Sequence, residues 1–162
     1  MIEQLIENKI ATRLTNALRN VGIEDFQCAT QLEAVEGVKG LENEKGVILT
    51  IKASPRSYAT ATIPTCQIEV LVSALVRADK DWNGTTYLGV TSALMDVLEH
   101  WQKCYPDTHI EFSVPNEFRC VGYQLDTGSF GLDQTGKVWN YEHSMTIYGV
   151  ILEEADTNET QP

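Results

Sequence analysis

The chain has 162 residues, and 12 Lys and Arg against 23 Asp and Glu leave a formal net charge of −11. So large an anionic excess speaks against holding nucleic acid by phosphate neutralisation, which needs clustered Lys and Arg. Apolar residues at 43% and charged residues at 22% make the composition globular rather than disordered. No run approaches the roughly 18 apolar residues of a membrane span. The acidic, amphipathic start Met1-Ile2-Glu3-Gln4 is unlike a signal peptide.

Residues 2–21 read as a helix. Ile2, Leu5, Ile6, Ile10, Leu14, Ala17, Leu18 and Val21 recur at the spacing of one face. Glu3, Glu7, Lys9, Arg13 and Arg19 take the other positions, acids early and bases late, as the helix dipole prefers. Gly22 is a natural stop. Residues 22–46 are poorly patterned and acidic, and read as a connection holding a short strand or a turn of helix. Residues 47–52, Val-Ile-Leu-Thr-Ile-Lys, have the β-branched character of a buried strand.

Residues 53–66 then change character. They are small and hydroxylic, carry Pro55 and Pro64, and contain no acid. Between Glu44 and Glu69 the only charges are Lys45, Lys52 and Arg56. The stretch, locally cationic on an anionic protein, reads either as an ordinary surface loop or edge hairpin or as an extended arm that reaches an acidic partner surface, such as a neighbouring copy of the chain. Residues 67–77 alternate as a strand, with Ile68, Val70, Val72 and Ala74 facing one way. After a turn-rich break at 79–84, a second helix is expected over 86–103, with Leu88, Thr91, Leu94, Met95, Leu98 and Trp101 on its apolar side and Pro106 ending it. The last third reads as strands over 109–114, 118–125 and 137–152. The last two pair as a hairpin around a Gly-, Asp- and Thr-rich loop at 126–136. Residues 153–162 form an acidic tail with little to bury, expected to be mobile.

No strong catalytic motif is present: no GxGxxG, P-loop, GxSxG or HExxH. Cys28, Cys66, Cys104 and Cys120 are widely spaced with no CxxC pair, and read as reduced thiols, buried or partly buried, although the even count also permits disulfides in any of three full pairings. Asp126-Thr127-Gly128 matches the aspartic-protease tripeptide, but there is no second copy. Cys104 and His109 are close in sequence, yet Pro106 and a helix end lie between them. Asp79, Asp81, Asn83 and Gly84 open like a calcium loop, but the twelfth position is Val90 where a bidentate Glu is needed. No cofactor and no metal site is expected.

The expected architecture is α+β: a mainly antiparallel sheet with two helices on one face, a long extended arm and a mobile C-terminal tail. That order covers residues 1–152 as a single domain. The opening helix, the strands at 47–53 and 67–77 flanking the arm, the Asp79-Lys80-Asp81 break, the Leu94, Leu98 and Trp101 helix and the last strand with Trp139, Tyr141 and Ile147 together resemble the tail-terminator and neck proteins of long-tailed bacteriophages. The resemblance implies a non-enzymatic virion protein, made in the host cytoplasm. Its homo-oligomeric ring, generally six copies, sits on the tail tube and joins it to the head connector. It also implies contact with the sheath in contractile tails and DNA passing through the lumen without specific binding.

Loop character and charge contrast nominate contacts at Arg56, Ser57, Tyr58, Thr60 and Thr62 of the arm, with Phe130 and Asp133 of the later loop as a second interface. Two alternatives remain within the same assembly, a head-closure or adaptor protein and a tube subunit. A third is a ligand-binding or enzymatic domain built on Asp79, Asp81, His109, Asp126 and Asp133.

Overall fold

A computed structural model describes residues 2–30, 46–58, 65–77, 87–126, 128–132 and 138–152. Its first element, α1 (Ile2–Asn20), buries Ile2, Ile6, Ile10, Leu14 and Leu18. This single four-residue row winds slowly round the helix. Leu5, expected on the same face, lies off that row and is 38% exposed, and Val21 falls beyond the last helical residue. Glu7, expected in solvent, is carried onto the buried side, where it accepts the Ala53 N–H at 2.7 Å. Gly22 ends the helix at φ +83°, with its N–H on the Arg19 carbonyl and the Ile23 N–H on the Leu18 carbonyl. Ile23 and Leu18 are both buried, completing the usual left-handed helix stop.

The strands are β1 (Phe26–Thr30), β2 (Val47–Ala53), β3 (Ser57–Tyr58), β4 (Thr65–Arg77), β5 (Phe118–Leu125), β6 (Ser129–Leu132) and β7 (Val138–Ile151). Among the described residues they form one sheet in the order β1-β2-β4-β7-β5, with β3 beside β4 and β6 beside β7. Only β1–β2 is parallel; the other pairs are antiparallel. The long central pair β4–β7 runs from Thr65 opposite Val150 to Arg77 opposite Val138. Cys66, Ile68, Val70, Val72, Ala74 and Val76 are buried, whereas Gln67, Glu69 and Leu71 are exposed. The sheet is therefore covered on one face, as period-two alternation requires.

Two of the strands are interrupted continuations of others. β2 and β3 both pair with β4, and the register slips by one residue across 54–56. β5 and β6 both pair with β7, with one slip at Val121 and another across 126–128. The expected loop at 126–136 therefore contains a strand, because the hairpin resumes after the second slip.

Helix α2 (Tyr87–Glu99) packs with α1 on the covered face and buries Val90, Ala93, Leu94 and Leu98. The expected single helix over 86–103 breaks at His100 and restarts as α3 (Trp101–Cys104). The expected strand at 109–114 is instead α4 (Thr108–Glu111), whose turn is closed by Ile110 and Glu111 N–H groups on the Asp107 carbonyl. The buried Trp101 indole N–H donates to Thr108 Oγ1 at 2.8 Å and fixes this corner. Alternation alone cannot make a strand here, since the segment offers a single bridge, Val114 to Phe118. The residues 153–162, expected to be a mobile tail, lie outside the described residues.

Candidate functional site

Of the nominated regions, the root of the arm is described with its side chains. The Arg56 guanidinium meets the Glu3 carboxylate in a two-pronged pair, Nη2 to Oε1 at 2.8 Å and Nε to Oε2 at 3.1 Å. The Arg56 backbone N–H donates to the same Oε2 at 3.1 Å. Burial alone would raise the Glu3 carboxyl, but the hydrogen bonds and charge of Arg56 outweigh it and hold Glu3 below its usual range. The same bond raises Arg56. Arg56 is thus engaged by its own α1, and its cationic charge anchors the arm instead of standing free beside it.

From that anchor β3 carries Ser57 and Tyr58 outward. Both are exposed, Tyr58 by 51%. They form one wall of a cavity of about 260 Å³, closed by Thr65, Cys66, Gln67 and Tyr148. Burial pushes the Cys66 thiol up, which keeps it protonated and unreactive. Thr60, Thr62 and Asp133 lie outside the described residues, as do Asp79 and Asp81. Phe130 is placed by its backbone in β6, opposite Tyr141, at the far end of β7 from β3.

A larger groove, about 650 Å³, lies between α1 and the α3–α4 corner and is lined by Leu5, Lys9, Arg13, Cys104, Tyr105 and Glu111 among others. Its cations are already used. Arg13 stacks 3.8 Å from the Tyr105 ring and pairs with Glu111, and Lys9 donates to the Glu111 carbonyl. Cys104, expected to be buried or partly buried, is exposed in this groove at the end of α3, three residues after the buried Trp101. His109 is exposed on α4 and is not part of the groove lining. All four cysteines are free thiols.

The Asp126-Thr127-Gly128 tripeptide has a structural role at its two described residues. Asp126 accepts the Ser144 hydroxyl at 2.9 Å and donates its N–H to the Ser144 carbonyl at 3.0 Å. Gly128 lies so close to Tyr141 that an added Cβ would sit 2.7 Å from the phenolic oxygen. Burial, and then the Glu99 charge, push Tyr141 up to about 12. Val90, the twelfth position of the calcium-loop pattern, is fully buried in α2. Among the described residues no three His, Cys, Asp or Glu side chains come together as metal ligands. Nor is any helix there long and apolar enough to cross a membrane.

One exposed feature escaped sequence reasoning. Val121, at the first register slip of edge strand β5, is 58% exposed. The signal was there in Gly122, since a glycine inside a strand pattern marks a bulge. Compared with known proteins, the chain matches no protein-family model and no curated protein.

Proposed function

We propose that this chain is a structural virion protein whose copies close into a ring, six in number, that ends a phage tail tube and joins it to the head connector. The observation that carries the reading is the arm root. A helix on the covered face of an antiparallel sheet holds, through Glu3 and Arg56, the point where the arm leaves β2 and returns as β4. That is the element order on which the resemblance to tail terminators rests, with the arm braced for contact outside its own chain. The anionic excess of −11 per copy suits a lumen that DNA crosses without adhering, since like charges repel. On this reading the tube protein and the connector are partners on opposite ring faces, with the sheath added where the tail contracts.

Negative-stain images of the purified chain test the proposal. Single closed rings of uniform diameter support it. Long stacks would make the chain a tube subunit instead, and particles that never exceed a monomer, even with tube ends supplied, would overturn it.

A further inference from the structure

We propose that Glu7 fixes a hinge at Ala53 and that Glu3 latches the segment beyond it, so that residues 54–58 open and close as one local unit against a folded core. The inference stands apart from the ring reading, because a single copy carries every group it uses.

The hinge follows from the ladder. The Ser54 N–H donates to the Glu69 carbonyl at 2.8 Å, so the N–H of Ala53 just before it points away from β4. Earlier in β2 that outward side pairs with β1, as far as Ile51 opposite Thr30. Ala53 is the next outward residue, and its N–H goes to Glu7 Oε2 rather than to a strand. Glu7 is 4% exposed and Ala53 2% exposed. Breaking this bond would strand a buried amide and a buried carboxylate away from water, so it stays closed while the core is folded.

Beyond the hinge the ladder is interrupted. Pro55 and Arg56 both stand opposite the single residue Ile68, between the Ser54–Glu69 and Ser57–Gln67 pairs. Two residues against one make a bulge, and Pro55 has no N–H to give. β3 then adds the pairs Ser57–Gln67 and Tyr58–Cys66, and both of its side chains are exposed.

The latch is Glu3, one turn before Glu7 on the same side of α1. Its carboxylate takes the Arg56 N–H and both prongs of the guanidinium. This pair keeps solvent contact, 15% for Glu3 and 27% for Arg56, so water can replace it when it parts. α1 does not rely on the latch, since Ile2, Ile6 and Ile10 seat it in the core. A dry hinge followed by a bulge, two exposed residues and a wet latch is the arrangement in which a segment opens by itself.

Amide hydrogen exchange of the full chain, read by NMR at several urea concentrations below the unfolding transition, tests this. Amides that exchange through a small local opening respond weakly to urea, whereas those that need global unfolding respond steeply. Ser54 and Arg56 should share one shallow dependence, and Ala53 should follow the steep dependence of the buried Val72. Glu3→Ala should speed Ser54 and Arg56 together, by about tenfold, although the Ser54 N–H is bonded to Glu69 and not to Glu3. Glu3→Gln, which keeps an acceptor oxygen but not the charged fork, should fall between. Glu7→Ala should move Ala53 into the shallow group, and Glu7→Gln, which can still accept its N–H, should keep it in the steep one. Ser54 and Arg56 as steep in urea as Val72 would overturn the local unit. Arg56 speeding alone in Glu3→Ala would overturn the latch, and Ala53 remaining steep in Glu7→Ala would overturn the hinge.

Discussion

Arg56 and Glu3 lie 53 positions apart and meet through two side-chain hydrogen bonds, backed by a third from the Arg56 main chain. The planar guanidinium fits the carboxylate fork in a way an ammonium cannot. Arg56→Lys should therefore lower stability by about 1 kcal/mol, less than a fully buried pair because both side chains keep some solvent contact. The pH dependence has a definite sign. Glu3 is held below its ordinary 4.5, so the contribution is complete above that value and is lost as pH falls through the lower folded one. Urea titrations between pH 2 and 6 should show that slope in the parent chain and a flatter one in Glu3→Gln.

Tyr58 is the cleaner probe of the arm, because altering Arg56 also removes the brace on α1. Tyr58→Ala should leave the melting temperature within a few degrees of the parent, since the side chain is half exposed. Sedimentation should show ring formation weakened at least about tenfold. Unchanged assembly would remove the arm from the interface.

Gly149 leaves the room that the Phe118 ring occupies on the core face. A Cβ built at Gly149 overlaps that ring and lies 2.8 Å from the Arg119 carbonyl oxygen. Gly149→Ala should cost about 1–3 kcal/mol by overpacking. Phe118→Leu in the same chain should recover part of that loss in denaturant titration; an additive, worse double variant would refute the packing relationship.

His143 is buried at 3% exposure on the core face of β7, opposite Val72, with its ring 6.2 Å from that of Tyr141. Burial lowers its pKa below 6.5, against the smaller raising effects of the Ser144 carbonyl and the Glu99 and Asp126 charges. The unfolded chain thus binds this proton more readily than the folded one. Stability is full above about pH 6.5 and declines as pH falls toward the lower folded value. His143→Gln should flatten the melting temperature between pH 5 and 7, and an unchanged slope would place its origin elsewhere.

The elements with strong periodicity were legible in the sequence. β4 declared itself by alternation, β7 by its length and its Trp139, Tyr141, Ile147 and Val150, α1 by the three- and four-residue spacing of its apolar residues, and Gly22 by its place at the helix end. What escaped was set by contacts that periodicity does not register, some of them distant in sequence and some local. Glu7 looks like a solvent residue until the Ala53 N–H meets it. Residues 109–114 alternate like a strand, but the Trp101–Thr108 hydrogen bond and the Asp107 carbonyl turn them into α4. At the arm, charge contrast singled out Arg56, yet nothing local showed that Glu3 would hold it. The exposure of Val121 follows from a register slip in the β5–β7 ladder, and Gly122 was its only trace in the sequence.

The most direct test is the native mass of the purified chain across a concentration series, with tube ends added to the most concentrated sample. A closed assembly near six times the 18.1 kDa chain mass, with no longer stacks, is the expected result. A mass that stays at 18.1 kDa throughout would contradict the ring, and one that grows without limit would contradict its closure.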